Sequence, residues 1–270
     1  MARRLWSLLR ATVEGYIEDE AMSRGAAIAY YTIFSIAPLL VIATAVAGLA
    51  FGEQAVHGAV ASQLTGLLGE TGAVAIQGLI QSAAQTGTGG PAALLSAGVL
   101  LFTASGVFAE LQAALNAIWR APAATEGSTL TTFLRARALS LGLVAATGFL
   151  LLVSLVASAA ISAFGTWAGG HLPAWPVMLS VLNFVTSFAL VTLLFAAIYK
   201  ILPDRPLRWR DVGVGAVATA FLFTVGKSLI GWYIGSSAVA SAYGATGSLL
   251  VVLLWIYYSA QIFLLGAEFT

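Results

Sequence analysis

Two charged side chains stand where charge is expensive. Glu110 and Lys227 each lie inside a long apolar run. A charge at the centre of a bilayer costs about 2.5–3.5 kcal/mol on insertion scales. A carboxylate there can take up and release a proton or hold a cation, and an ammonium can meet an anionic group. Each shares a helical stripe with small residues: Glu110 with Gly106, Ala113, Ala114 and Ala117, and Lys227 with Ala216, Ala220, Thr224 and Gly231. Small residues on membrane helices face neighbouring helices. Both charges are therefore expected to point into a bundle, with snorkelling toward the nearer interface as the alternative for Lys227.

Other polar candidates are Tyr30, Tyr31, Ser35, Asn116, Asn183, Tyr257 and Gln261. At ~1.5 Å rise per residue, Glu110 lies about 13 Å from one face, Ser35 and Tyr257 about 15 Å, and Gln261 about 9 Å from that same face. Lys227 and Asn183 lie roughly 10 Å from the opposite face. This predicts a lower polar layer of Tyr31, Ser35, Glu110, Tyr257 and Gln261, with Lys227 and Asn183 above it. Pro38 removes one helix bond and displaces the carbonyl of Phe34. A freed carbonyl beside a polar layer can bind a cation or polar solute. The competing role for all these groups is to lock helices together.

The elements that must position them follow from composition. The chain has 270 residues, 60% apolar and 9% charged, with mean hydropathy +0.94. A soluble domain carries about 25% charge. This composition excludes an ordinary soluble domain and a disordered chain. The net charge of +1 excludes a nucleic-acid binder. There are no cysteines and only two histidines, His57 and His171, so disulfides, thiolate sites and imidazole-rich metal centres are excluded. No cofactor is expected.

Six runs are long and apolar enough to cross a ~30 Å hydrocarbon core as helices: residues 25–51, 91–119, 138–164, 177–199, 212–234 and 246–267. Continuous rather than alternating hydrophobicity argues against a porin-type barrel. Eleven of the twelve cations fall on one set of ends: Arg3, Arg4, Arg10, Arg24, Arg120, Arg135, Arg137, Lys200, Arg205, Arg208 and Arg210. The opposite loops hold none. Cations stay on the cytoplasmic side, which predicts an all-α six-span protein of the inner membrane with both termini inside.

Residues 1–24 are too charged for a signal peptide. Leu5, Leu8, Leu9, Thr12, Val13, Tyr16 and Ile17 recur at helical spacing there, which predicts a cytoplasmic amphipathic helix, either at the lipid surface or docked under the bundle. Residues 25–270 then form one transmembrane domain. Loop 52–90 carries two stripes, Val56/Val60/Leu64/Leu67 and Ile76/Leu79/Ile80/Ala83, broken at Gly69–Gly72. Two short external helices are expected. The pairs Gly48/Gly52 and Gly231/Gly235 have the spacing of a dimer motif, weak support for a homo-oligomer.

Two motifs mislead. Gly213-Val214-Gly215-Ala216-Val217-Ala218 spells a dinucleotide fingerprint but follows a charged turn, not a strand. Its glycines are expected to let helices approach. Gly226-Lys227-Ser228 resembles the end of a P-loop, but position 221 is Phe where that motif needs Gly.

The run Ala26-Ala27-Ile28-Ala29-Tyr30-Tyr31-Thr32-Ile33-Phe34-Ser35-Ile36-Ala37-Pro38-Leu39-Leu40 resembles the first-span signature of the YihY/BrkB family of bacterial inner-membrane proteins. Ala114-Leu115-Asn116-Ala117-Ile118-Trp119, Leu202-Pro203-Asp204, Tyr243-Gly244, Leu254-Trp255-Ile256-Tyr257 and Gly266-Ala267-Glu268 fit it as well. Many members continue into a polar tail. The resemblance brings an old ribonuclease label, which the residues disfavour: a metal-dependent nuclease needs clustered carboxylates or histidines. It also brings suggestions of serum resistance and of transport. The expected function is secondary transport or export of a small polar solute or ion, with no enzymatic activity. Tyr30, Tyr31, Ser35 and Asn116 would line the path beside Pro38, and Glu110 and Lys227 would carry charge. The alternatives are a non-transporting envelope-biogenesis scaffold and, more weakly, lipid handling.

Overall fold

Residues 2–51, 106–122, 175–236 and 247–270 are described in a computed structural model, together with residues 58, 60–61, 64–65, 70, 73–78 and 80–81. The sequence-read span 138–164 lies outside them. Six helices are bounded among the described residues: α1 (Ala2–Glu18), α2 (Ala21–Phe51), α3 (Gly106–Ile118), α4 (Trp175–Ile201), α5 (Trp209–Ser236) and α6 (Gly247–Phe269). No strand occurs among the described residues. Among the described residues, three stretches are long and apolar enough to cross a membrane: Ser180–Ile201, Trp209–Ile230 and Leu249–Phe269. The first sequence-read span falls within α2, whose helical run continues through Pro38.

The helix ends follow local rules. Asp19 donates its N–H to Gly15 O, Glu20 donates to Ile17 O, and Glu20 turns into the left-handed region at φ 53°. That separates α1 from α2, so the second helix starts four residues before the apolar run does. At the end of α3, Arg120 donates to Ala117 O and Ala121 to Asn116 O, with Arg120 at φ 47°. This pair of bonds is a Schellman cap, which satisfies carbonyls the helix leaves open. Arginine occupies the position where glycine is usual. At the start of α5, Asp211 and Val212 both donate to Arg208 O, and the Asp211 carboxylate lies in the first turn, where the helix dipole favours negative charge.

α5 and α6 pack antiparallel through glycines. A Cβ on Gly215 would strike Thr270, one on Gly266 would strike Thr219, and one on Gly226 would meet Ile262 and Tyr258. As α5 advances, its contacts on α6 recede. The sequence expectation that the Gly213–Ala218 run permits close approach is met by Gly215; Gly213 faces open space.

The main core lies at the cation-bearing end. Ala21 and Ile28 of α2, Phe108 and Leu115 of α3, Tyr199 of α4, Ala216 and Ala220 of α5, and Phe263 and Leu264 of α6 belong to one buried cluster. A second cluster joins Ala29 of α2 and Val252 and Ile256 of α6 to Leu64, Ala73, Ile76 and Ile80. Leu64, Ile76 and Ile80, three positions of the sequence-read stripes, and Ala73, which was in neither, tie the described residues of segment 52–90 into the bundle.

Lys227 departs from the bundle-facing expectation and is exposed, as the snorkelling alternative requires. It shares an arc of α5 with Ala216 and Ala220, which are fully buried, yet Lys227 itself is exposed. Small neighbours indicate where helices pack near the basic end of α5. Eleven residues further along, the long side chain leaves that packing, as its charge favours.

Candidate functional site

Four segments far apart in sequence meet at the cation-bearing end. Asn116, in the last turn of α3, clamps the turn after α4. Its amide Nδ2 donates to Asp204 Oδ2 at 2.6 Å, and its Oδ1 accepts from the Asp204 backbone N–H at 2.9 Å. Gln112, one turn earlier, donates to Asp204 Oδ1 at 3.2 Å. Arg205 donates to the carbonyl of Trp119, an acceptor that the end of α3 leaves without a helical partner. Lys200 ties the far side of the turn by donating to Leu207 O, with its ammonium 5.4 Å from the Trp209 ring centre. The 202–208 turn is thus fastened along its length.

Trp119 carries the clamp to α6. Its buried indole Nε1 donates to Ala267 O at 3.1 Å and meets the Tyr199 ring edge-on at 5.6 Å. Tyr199, fully buried on α4, donates to Phe263 O at 2.7 Å and lies 3.0 Å from Thr219 Oγ1. Thr219 in turn reaches Gly215 O at 2.7 Å. Two hydroxyl hydrogens therefore serve three contacts among α4, α5 and α6. Gly266 sits against both Thr219 and Tyr199 Oη, and only the absent side chain makes room.

α1 is fastened to the same end. The Tyr16 hydroxyl donates to Gln261 Oε1, and Gln261 Nε2 donates to Met22 O at 3.3 Å. Gly25 faces the same amide so closely that a Cβ would collide with it. Burial, with Tyr257 alongside, pushes the Tyr16 phenol above its usual range, which keeps it a neutral donor. Glu268 of α6 rests on Gly15, with Asp19 and Arg120 nearby. Its Oε1 is buried and has no hydrogen-bond partner among the described residues.

Of the sequence-predicted residues, the structure brings some together and separates others. Ser35 is buried on α2, and Ser35 and Tyr31 both face Gly106 of α3, one turn before half-buried Glu110. Tyr257 and Gln261 face α1 at Tyr16. Tyr30 stands on an exposed ridge of α2 with Met22 and Phe34, its ring 5.0 Å from that of Phe34. Asn183 is exposed on α4, as Lys227 is on α5. The side chain of Pro38 and the Gly48/Gly52 and Gly231/Gly235 pairs lie outside the residues whose packing is described. Asp204, Gln112, Arg205, Trp119 and Tyr199 were not expected to act. The signal for two of them, Trp119 and Asp204, lay in the motif runs Ala114–Trp119 and Leu202–Asp204.

Those motif runs interlock here, and the comparison with known families agrees. The model of the family described as virulence factor BrkB matches residues 12–270. The chain belongs to the BrkB family. Its relatives include UPF0761 membrane proteins of Alkalilimnicola ehrlichii, 28% identical over 95% of this chain and 56% of that one. Others come from Azotobacter vinelandii, 28% identical over 96% and 61%, and Legionella pneumophila, 26% identical over 96% and 60%. This BrkB-family chain spans about three-fifths of the length of these membrane proteins. No solved structure matches it.

The clamp gives a measurable coupling. A double-mutant cycle on Asn116→Ala and Asp204→Ala is expected to show about 0.5–1 kcal/mol of interaction in thermal unfolding in detergent, since Asp204 is exposed and water weakens the pair. Additive single effects would mean that the pair is not formed.

Proposed function

We propose that this chain is the six-span core of an inner-membrane transporter or exporter of a small polar solute or ion, not an enzyme, with both termini in the cytoplasm. One observation carries the reading. Buried Ser35 and the inner edge of exposed Tyr31 meet α3 at Gly106, one turn from half-buried Glu110. Polar groups inside spans are costly and usually serve a pathway. A glycine at the contact brings the two helices close enough for their polar groups to act on one solute. Glu110 would carry the coupling ion or the substrate charge. The Asn116–Asp204 clamp and the Trp119–Ala267 contact would close the cytoplasmic end. Lys227, exposed near the outer end, would reach the headgroups.

A scaffold reading has its own support: Asn116 and Gln261, both expected on a path, are engaged in fastening a turn and a helix. Flux in proteoliposomes separates the two. Under imposed proton or sodium gradients, read by dyes trapped inside, wild type is expected to dissipate a gradient, Glu110→Gln to lose most of that flux, and Lys227→Met to keep it. Properly assembled wild type and Glu110→Gln that both leave the gradients intact would favour the scaffold.

A further inference from the structure

α1 has three faces, and only two have an evident neighbour. At about 100° per residue, Thr12 and Tyr16 lie on one stripe, continued by Asp19 in the turn just past the helix, Ser7, Arg10, Glu14 and Glu18 on a second, and Trp6, Leu9, Val13 and Ile17 on a third. The first stripe docks: Thr12 is buried, Tyr16 holds Gln261, and Asp19 lies beside Glu268. The second is polar and exposed, with Arg10 bonded to Glu14 at 2.7 Å. The third is apolar and uncovered, with Trp6 71%, Leu9 53%, Val13 53% and Ile17 70% exposed.

We propose that this third stripe is a lipid-binding face, seated in the boundary between headgroups and acyl chains of the leaflet at the cation-bearing end. A helix at the foot of a membrane bundle has three surroundings: protein beside it, lipid beneath and water above. The three stripes of α1 match them in chemistry. The lipid stripe also continues into the spans. Ile17 is the last residue of this stripe in α1, and across the turn at Glu20 exposed Met22, Tyr30 and Phe34 form the outward ridge of α2. Trp6 has the amphipathic ring that favours the interface. The charges of residues 3–24 balance, Arg3, Arg4, Arg10 and Arg24 against Glu14, Glu18, Asp19 and Glu20. Apolar area rather than headgroup charge therefore drives the insertion. A helix held by Tyr16 and Gln261 is oriented before it meets lipid, so little ordering entropy opposes binding.

The chain has no cysteine, so single introduced cysteines report cleanly. Leu9→Cys, Val13→Cys, Ile17→Cys and Glu14→Cys, spin-labelled in the full chain and placed in phosphatidylcholine vesicles, are compared by accessibility to oxygen and to a water-soluble nickel chelate. All four positions are exposed, so packing is spared. Labels at 9, 13 and 17 are expected to read about 5–10 Å below the headgroup boundary, with 14 in water. Chelate access at 9, 13 and 17 equal to that at 14 would overturn the proposal by placing the stripe in water. Strong label–label coupling at those positions would overturn it by placing a second copy there.

Discussion

Trp119→Ala is expected to lower stability by about 3–5 kcal/mol, the usual cost of truncating a buried aromatic. Trp119 is 9% exposed, and its indole fills the space between α3, α4 and α6. Removing it leaves a cavity beside the Tyr199 ring and takes the donor from Ala267 O. A Trp119→Phe variant separates the two effects. It restores most of the volume but not the N–H, and should recover all but about 1 kcal/mol. The check is thermal unfolding in detergent, followed by monodispersity. A loss below about 1 kcal/mol for Trp119→Ala would show that the indole is not packed here.

Gly266→Leu is expected to be nearly as damaging, by about 3 kcal/mol or more, through overpacking rather than a void. A Cβ at 266 would lie 2.8 Å from Thr219 Cβ and 2.9 Å from Tyr199 Oη, before any further atoms are added. The space cannot be made by a rotamer change, because Tyr199 and Thr219 are both fully buried and hydrogen-bonded. Gly213→Leu is the control, since nothing approaches that position. Equal stability of the two variants, measured as the fraction surviving heating as a monodisperse peak, would contradict the α5–α6 register.

Much of this architecture was legible in the sequence because a bilayer permits few solutions. Long uncharged runs must be helices, and the first, fourth, fifth and sixth runs fall on α2, α4, α5 and α6. The helical spacing in residues 2–18 gives α1. Periodicity gives an apolar arc, however, without saying what covers it. The arc from Leu5 to Ile17 read as one face, and the structure divides it: Thr12 and Tyr16 meet protein, while Leu9, Val13 and Ile17 stay exposed. The same limit explains Lys227, whose small neighbours marked a packed arc but not how far along α5 the packing extends.

The partners at the cation-bearing end were hidden for a different reason. Asn116 and Asp204 are 88 residues apart, and Trp119 and Ala267 are 148 apart. No local spacing encodes such pairs. The motif runs of the family resemblance did mark these segments, though not which residue meets which. Glu110 is the converse case. Its cost in lipid singles it out from the sequence alone, and the structure adds Tyr31 and Ser35 one turn away on the facing helix.

We propose that one end of this bundle, where α1, the end of α3, the 202–208 turn and the end of α6 meet, lies in the cytoplasm. Introduced cysteines in this cysteine-free chain test it with a membrane-impermeant maleimide. Glu18→Cys and Arg208→Cys, both exposed at that end, should be labelled in inverted membrane vesicles and protected in intact spheroplasts, with exposed Gln81→Cys showing the reverse. Labelling of position 18 or 208 from outside intact cells would place that end on the opposite side of the membrane.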